Sequence, residues 1–296
     1  MGIISRIRTE GFALLAPRPP KRPEDSRSRA GRNLPAAMAT AFVALGIVAL
    51  SLMFDSFVFV LLASIAFCIG IWEAAGAFLT RKITIPVIAL MLSTLLMGAA
   101  TYGAGIAAGF ATFCVAAFVV ALWRLFSPRP HAMVDAVAGV FTLGWISMGG
   151  MFAIALAAPE LGPWCVATLI LMPAASDTGG YAVGVLFGKH PIAASISPKK
   201  SWEGFVGSVL LSFLAAWLLV HYVLGLEWGW VVLFALVTPV LATLGDFSES
   251  LLKRDFGVKD MGSMFPGHGG MLDRIDAMLL CAPAFYLMFA IAFHVL

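Results

Sequence analysis

The chain has 296 residues, 61% of them hydrophobic and only 12% Asp, Glu, Lys or Arg, with a formal net charge of +3 and a mean hydropathy of +0.96. Soluble globular proteins carry about 25% charged residues, so a chain with half that supply has too little polar surface to face water. This excludes a soluble enzyme, a disordered chain and a nucleic-acid-binding module, and predicts an all-α, polytopic helical integral membrane protein.

Residues 1–33 are polar, basic and rich in Pro and Arg, as in Pro17-Arg18-Pro19-Pro20-Lys21-Arg22-Pro23. They read as a flexible cytoplasmic tail, serving either to touch anionic lipid or only to set topology. The first apolar run is too long and begins too late for a cleaved signal peptide. A transmembrane domain is expected over 34–296, with about nine spans near 34–54, 56–79, 83–101, 104–123, 133–157, 161–176, 204–224, 228–246 and 274–296. The sixth is short and can extend toward Phe187, because Gly180, Gly184 and Gly188 recur every fourth residue, a spacing that lets helices approach closely. The four cysteines, Cys68, Cys114, Cys165 and Cys281, stand singly in apolar runs and read as small core hydrophobes.

Loops counted from a cytoplasmic N-terminus give a consistent topology. The even-numbered loops hold Arg81, Lys82, Arg124, Arg129 and every later Lys and Arg, whereas the odd ones hold only Asp55, Glu160 and Glu227. All eleven basic residues beyond the tail thus fall on one side, the signature of a cytoplasmic face. The C-terminus then lies outside a multi-pass protein of the inner (plasma) membrane. Trp164, Trp228 and Trp230 fit an outer aromatic belt, and Trp123 and Trp202 an inner one.

Of the 35 charged residues, 11 lie in the first 32 positions, and 15 of the other 24 fall in two short windows, 177–203 and 246–276. Each such group costs about 2.5–3.5 kcal/mol at a bilayer centre, so this clustering marks the windows as the functional segments. In the second, a continuing helix places Asp246, Glu249, Ser250 and Lys253 at i, i+3, i+4 and i+7 on one face. Asp273 and Asp276 repeat the i, i+3 spacing at the start of the last span, and the glycines around His268 let backbone N–H groups approach an anion. Carboxylates beside Lys, Arg and free N–H groups suit a polyphosphate bound with a divalent metal. A charge-paired cytoplasmic loop is the alternative.

In the first window, Ser197-Pro198 fits an N-cap followed by proline in a first helical turn, which would set Lys199 and Lys200 at a helix N-terminus. These lysines serve either phosphate binding or a plain positive-inside anchor. Asp177 follows an apolar run with no adjacent cation and needs a metal, a partner or water.

The run from Ser250 to Asp276 resembles the signature of the phosphatidate cytidylyltransferases, also called CDP-diacylglycerol synthases. Ser250, Lys253, Arg254, Lys259, Asp260, His268, Gly269, Gly270, Asp273, Arg274 and Asp276 stand in register with it. The stretches 176–181 and 197–204 are similar to two further family motifs, with Gly180 where the family often has Ala and Lys199 where it often has Asn. The basic tail has no counterpart in that pattern.

The resemblance implies Mg²⁺-dependent transfer of a cytidylyl group from CTP to phosphatidic acid, giving CDP-diacylglycerol and pyrophosphate, with a two-ion site. It implies Asp246 and Asp273, then Asp276 and Asp177, as metal ligands. Lys253, Arg254 and Lys259 would hold phosphates, and His268 would bond a phosphate oxygen or shuttle a proton. Lys199, Lys200, Ser201, Ser250, Gly269, Gly270 and Arg274 would contact substrate, while Asp260 and Glu249 support them. Glu73, in Trp72-Glu73, stands near the inner end of the second span, there either to pair with a cation or to meet substrate. The partners expected are CTP, phosphatidic acid and membrane lipid, with no nucleic acid. A homodimer is a further candidate without an interface signal of its own. A CTP-dependent lipid kinase is the nearest rival enzyme. A transporter would need polar groups along a path through the bilayer, and here they gather at one face.

Overall fold

In a computed structural model of the protein, the described residues are 16–20, 34–126, 132–158, 161–194, 197–262, 264 and 269–295. Where water is absent, a spanning backbone must satisfy its own N–H and C=O groups, and the apolar runs accordingly form helices. These are α1 (Leu34–Phe54), α2 (Ser56–Leu79), α3 (Val87–Leu125), α4 (Ala132–Ala155), α5 (Pro163–Phe187), α6 (Trp202–Val223), α7 (Trp228–Phe256) and α8 (Leu272–Ala292). Helix α4 contains a π-helical turn at Leu143–Ser147, and α6 ends in another at Trp217–Val223. Between α5 and α6 lies an antiparallel ribbon of β1 (Pro191–Ala193) and β2 (Ser197–Ser201).

Among the described residues, seven helices are long and apolar enough to cross a membrane, against nine expected spans. The difference has two sources. Helix α1 contributes only Phe42–Phe54 as a shorter described apolar stretch. The third and fourth expected spans fall within α3, which breaks at Gly105 (φ 83°, ψ 175°). A Cβ placed on Gly109 would overlap the Thr101 hydroxyl. Eight residues of straight helix span about 12 Å, so that proximity means the chain doubles back at Gly105, whose positive φ suits glycine.

The sixth expected span does run on to Phe187, and the eighth continues past Asp246 to Phe256. The glycine spacing in α5 has its counterpart in α6. Gly179 faces the Gly207 carbonyl, Gly207 faces the Gly179 carbonyl, and a Cβ on either would overlap the other helix's backbone. The Ser208 hydroxyl donates to the Ser176 carbonyl at 2.8 Å across the same contact. Helices α7 and α8 pack through aromatic rings instead, with Phe234 at centroid separations of 4.8 and 4.7 Å from Phe285 and Phe289.

One local expectation is overturned. Ser197 and Pro198 lie in strand β2, not at a helix start, and the N-cap of α6 is Ser201, whose hydroxyl accepts from Gly204 N–H at 3.1 Å. The ribbon is the cause. Pairing of Pro191 with Ser201 and of Ala193 with Ser197 keeps the lysine stretch extended. Glu203 then ties the loop end by accepting from the N–H groups of Lys189 and His190 at 3.1 and 3.2 Å. Most of the tail, 1–15 and 21–33, lies outside the described residues; within 16–20, the Arg18 carbonyl rests against Gly76 of α2.

Gly207→Val should force α5 and α6 apart. Overpacking of this kind costs about 1–3 kcal/mol, read as a lowered midpoint of thermal unfolding in detergent. Gly229→Val, at a position with nothing within 4 Å of an added Cβ, should leave the midpoint unchanged.

Candidate active site

Helix α7 ends at Gly257, whose left-handed conformation (φ 67°) lets its N–H turn back to the Lys253 and Arg254 carbonyls. The preceding turns therefore present Asp246, Glu249, Ser250 and Lys253 along one face, as their spacing dictates. The Lys253 ammonium donates to Glu249 Oε2 at 2.7 Å and reaches across to Asp273 Oδ1 of α8 at 2.9 Å. Glu249 is 1% and Asp273 9% exposed, so this three-group ion cluster is shielded from water.

Asp273 has further donors. Its carboxylate accepts from Gly270 N–H at 2.7 Å and from Met261 N–H at 3.1 Å. The bond to the residue three positions back is the acidic half of a capping box at the start of α8. Gly269, at φ 82°, brings the chain past this carboxylate, leaving no room for a Cβ. One turn on, Asp276 is 6% exposed and lies within side-chain contact of Asp246 and Glu249. On the facing hairpin, Lys200 of β2 pairs with Asp246 and lies 5.5 Å from the Phe247 ring centroid.

These elements enclose a cavity of about 550 Å³, within the ordinary range for small-molecule sites. Asp177 of α5, Lys200 and Ser201 of β2, Asp246 of α7, and Asp273, Arg274 and Asp276 of α8 all line it. The two charged windows, separated by over forty residues of chain, thus form one wall-to-wall site. Pro173, Ala174, Ile192, Phe205 and Met278 add an apolar side. Asp177 is exposed to the cavity and Arg274 is exposed at its edge.

Four lining carboxylates face two lining cations, and counting Glu249 and Lys253 behind them keeps the same excess of two negative charges. Contact between Asp276 and its carboxylate neighbours calls for a shared proton or a cation between them. Glu249 Oε1 is buried with no hydrogen-bond partner among the described residues, a second sign that this donor set fits a hard cation. Among the described residues no three acidic, His or Cys side chains already stand in metal-ligating geometry, and the ammoniums of Lys200 and Lys253 fill that role here. Asp246, Asp276 and Asp177 line the cavity, Asp246 paired with Lys200 and Asp276 Oδ1 accepting Ala277 N–H at 2.8 Å. Both oxygens of Asp273 are engaged by N–H donors.

Not every expected residue converges. Arg254, Lys259 and Asp260 are exposed at the end of α7 and in the loop beyond, and are not among the residues that line the cavity. Ser250 is half-buried on α7. His268 and the Lys199 side chain lie outside the described residues. The structure adds Thr243 and Ser208 to the lining; Ser208, one turn beyond Gly204 on the small-residue face of α6, carried a signal in its spacing.

Glu73 meets neither a described cation nor the cavity. It is 2% exposed, and Oε2 accepts the N–H of Leu272, the first residue of α8, at 2.9 Å. Asp135, at the start of α4, is likewise a buried acceptor, taking Thr84 N–H at 2.8 Å.

Residues 35–292 match the model of the Cytidylyltransferase family. A phosphatidate cytidylyltransferase of Mycobacterium leprae is 37% identical over 268 residues, covering 85% of this chain and 86% of that protein. One from Mycobacterium bovis is 37% identical over 283 residues, covering 89% and 90%, and one from Staphylococcus aureus is 34% identical over 167 residues, covering 56% and 64%. A family match spanning both charged windows and all eight helices shows that the chain belongs to the cytidylyltransferase family.

Proposed function

We propose that the protein transfers the cytidylyl group of CTP to phosphatidic acid, leaving CDP-diacylglycerol in the membrane and releasing pyrophosphate. The observation that carries this reading is the single cavity in which both charged windows meet beside an apolar wall. Such a site suits one polyphosphate and one lipid headgroup at once. The similar proteins named phosphatidate cytidylyltransferase, in both Mycobacterium and Staphylococcus, support it.

The chemistry is an in-line displacement. A phosphate oxygen of phosphatidic acid attacks the α-phosphorus of CTP, forming a new P–O–P bridge as the bond to the pyrophosphate oxygen breaks. The second pKa of a phosphate monoester is about 6, so the nucleophile is already an anion and a general base is dispensable. Positioning and charge neutralisation then carry most of the rate. Lys200 and Arg274 are the cations that line the cavity, placed to offset charge on the departing pyrophosphate. Lys253 keeps Asp273 and Glu249 in place behind them.

Asp246, Asp276 and Asp177, the lining carboxylates other than Asp273, would hold Mg²⁺, which would supply charge neutralisation for the phosphates. The local excess of negative charge supports that assignment. Asp273 serves as the anchor of the α7–α8 loop.

The site belongs on the cytoplasmic face of the inner membrane, where CTP is available, with the N-terminus cytoplasmic and the C-terminus outside. The distribution of Lys and Arg supports this orientation. So does the contact of Arg81, in the loop after α2, with the Asp255 carbonyl at the end of α7, which sets two basic loops at one end of the bundle.

With α-labelled CTP and phosphatidic acid in mixed micelles, label should appear in the lipid on thin-layer analysis; label confined to CDP would identify a lipid kinase instead. Chelation by EDTA should abolish turnover and added Mg²⁺ restore it. Asp246→Asn should reduce turnover at least a hundredfold while keeping the wild-type circular dichroism and detergent elution, and near-normal turnover would remove Asp246 from the ion. In a variant whose four native cysteines are alanine, Trp228→Cys should react with an impermeant maleimide from outside intact cells. Labelling only after the inner face is opened would reverse the orientation.

A further inference from the structure

The loop between α7 and α8 leaves at Met261-Gly262 and returns at Gly269-Gly270, and a carboxylate stands on each side of this neck. On the cavity side, Asp273 accepts from Met261 N–H and Gly270 N–H at 3.1 and 2.7 Å. On the opposite side stands Glu73 of α2, which reaches Leu272 N–H at 2.9 Å. Its carboxylate fills the space that a Cβ on Gly262 or Gly270 would need.

Gly262 is informative because its backbone has no positive φ. Nothing in its conformation requires glycine; the proximity of the Glu73 carboxylate does. Glu73 Oε1 lies in the same buried place with no hydrogen-bond partner among the described residues. A side chain that only capped α8 would need neither glycine. A buried, half-satisfied carboxylate is also costly in an apolar bundle. Its position against both strands of the neck gives it a task beyond capping.

We infer that Glu73 is a positioning residue for the reaction: it backs the neck of the α7–α8 loop and the first turn of α8, fixing Asp273 and Asp276 where the cavity uses them. Glu73 is not among the residues that line the cavity. It acts through Leu272, which precedes Asp273, and through Gly270, whose N–H Asp273 holds. Lys253 then transmits the same placement to Glu249 on α7. The inference rests on the proposed transfer for its kinetic readout, and amide exchange provides one that does not.

Glu73→Ala should lower kcat at least tenfold, with KM for CTP and for phosphatidic acid within threefold of wild type. Glu73→Gln, which keeps the acceptor and nearly the volume, should recover kcat to within fivefold. Gly262→Ala should cost about tenfold alone yet less than twofold in the Glu73→Ala background, the non-additivity expected of touching groups. Amide exchange at Met261 and Gly270 should accelerate in Glu73→Ala and not in Glu73→Gln. A folded Glu73→Ala with kcat within twofold of wild type, additive losses in the double variant, or unchanged exchange would each overturn the inference. If Glu73→Ala does not fold, Glu73→Asp, whose shorter side chain draws back from both glycines, takes its place in the exchange and the cycle, and additive losses or unchanged exchange there overturn the inference equally. A wild-type protein that transfers nothing from CTP refutes the proposed reaction alone, and exchange still decides the role of Glu73.

Discussion

Lys253 makes the bond on which the site depends, because its ammonium joins carboxylates from two different helices in a place water hardly reaches. Loss of one partner from a buried ion cluster costs about 3–5 kcal/mol, since the remaining charge is left without compensation. Here the loss would strand Glu249 and Asp273 together. The same ammonium sets the distance between α7 and α8 at the charged end of the bundle, while the Phe234, Phe285 and Phe289 rings set it deeper in the bundle. Polar specification at one end and aromatic packing along the rest divide the work of holding one helix pair.

The other pair, α5 and α6, is held by a different force. A membrane offers little hydrophobic drive for helix association, so close packing of small residues takes its place. Gly179 and Gly207 bring two backbones into direct contact, and Ser208 adds a hydroxyl donor to Ser176. Asp177 sits beside this contact and Lys200 sits on the ribbon that joins the same two helices. The cavity is therefore the seam between a glycine-packed pair and an ion-bridged pair, with acids and bases contributed from both sides.

Local periodicity made much of this legible in the sequence. The face of Asp246, Glu249, Ser250 and Lys253 followed from helix spacing alone, and so did the i, i+3 relation of Asp273 and Asp276. Three features were not legible, each for a physical reason. The Ser197-Pro198 cap was a sound local signal, but strand pairing with Pro191–Ala193 overrode it and Ser201 took the cap. The partner of Glu73 lies 199 residues away, beyond anything periodicity can report. The convergence of the two windows needed the fold, since no spacing within either one predicts that Lys200 meets Asp246.

The length of α7 also fixes the depth of the site. Between Trp228 and Asp246 the helix climbs about 27 Å at 1.5 Å per residue, nearly the about 30 Å thickness of a bilayer's hydrocarbon core. With Trp228 in one interfacial belt, Asp246 stands at the opposite edge of the core, and Lys253 lies about 10 Å farther along the helix axis, among the headgroups. A lipid phosphate already resides at that level. The acceptor can thus react without being lifted out of its leaflet, and the nucleotide without entering hydrocarbon.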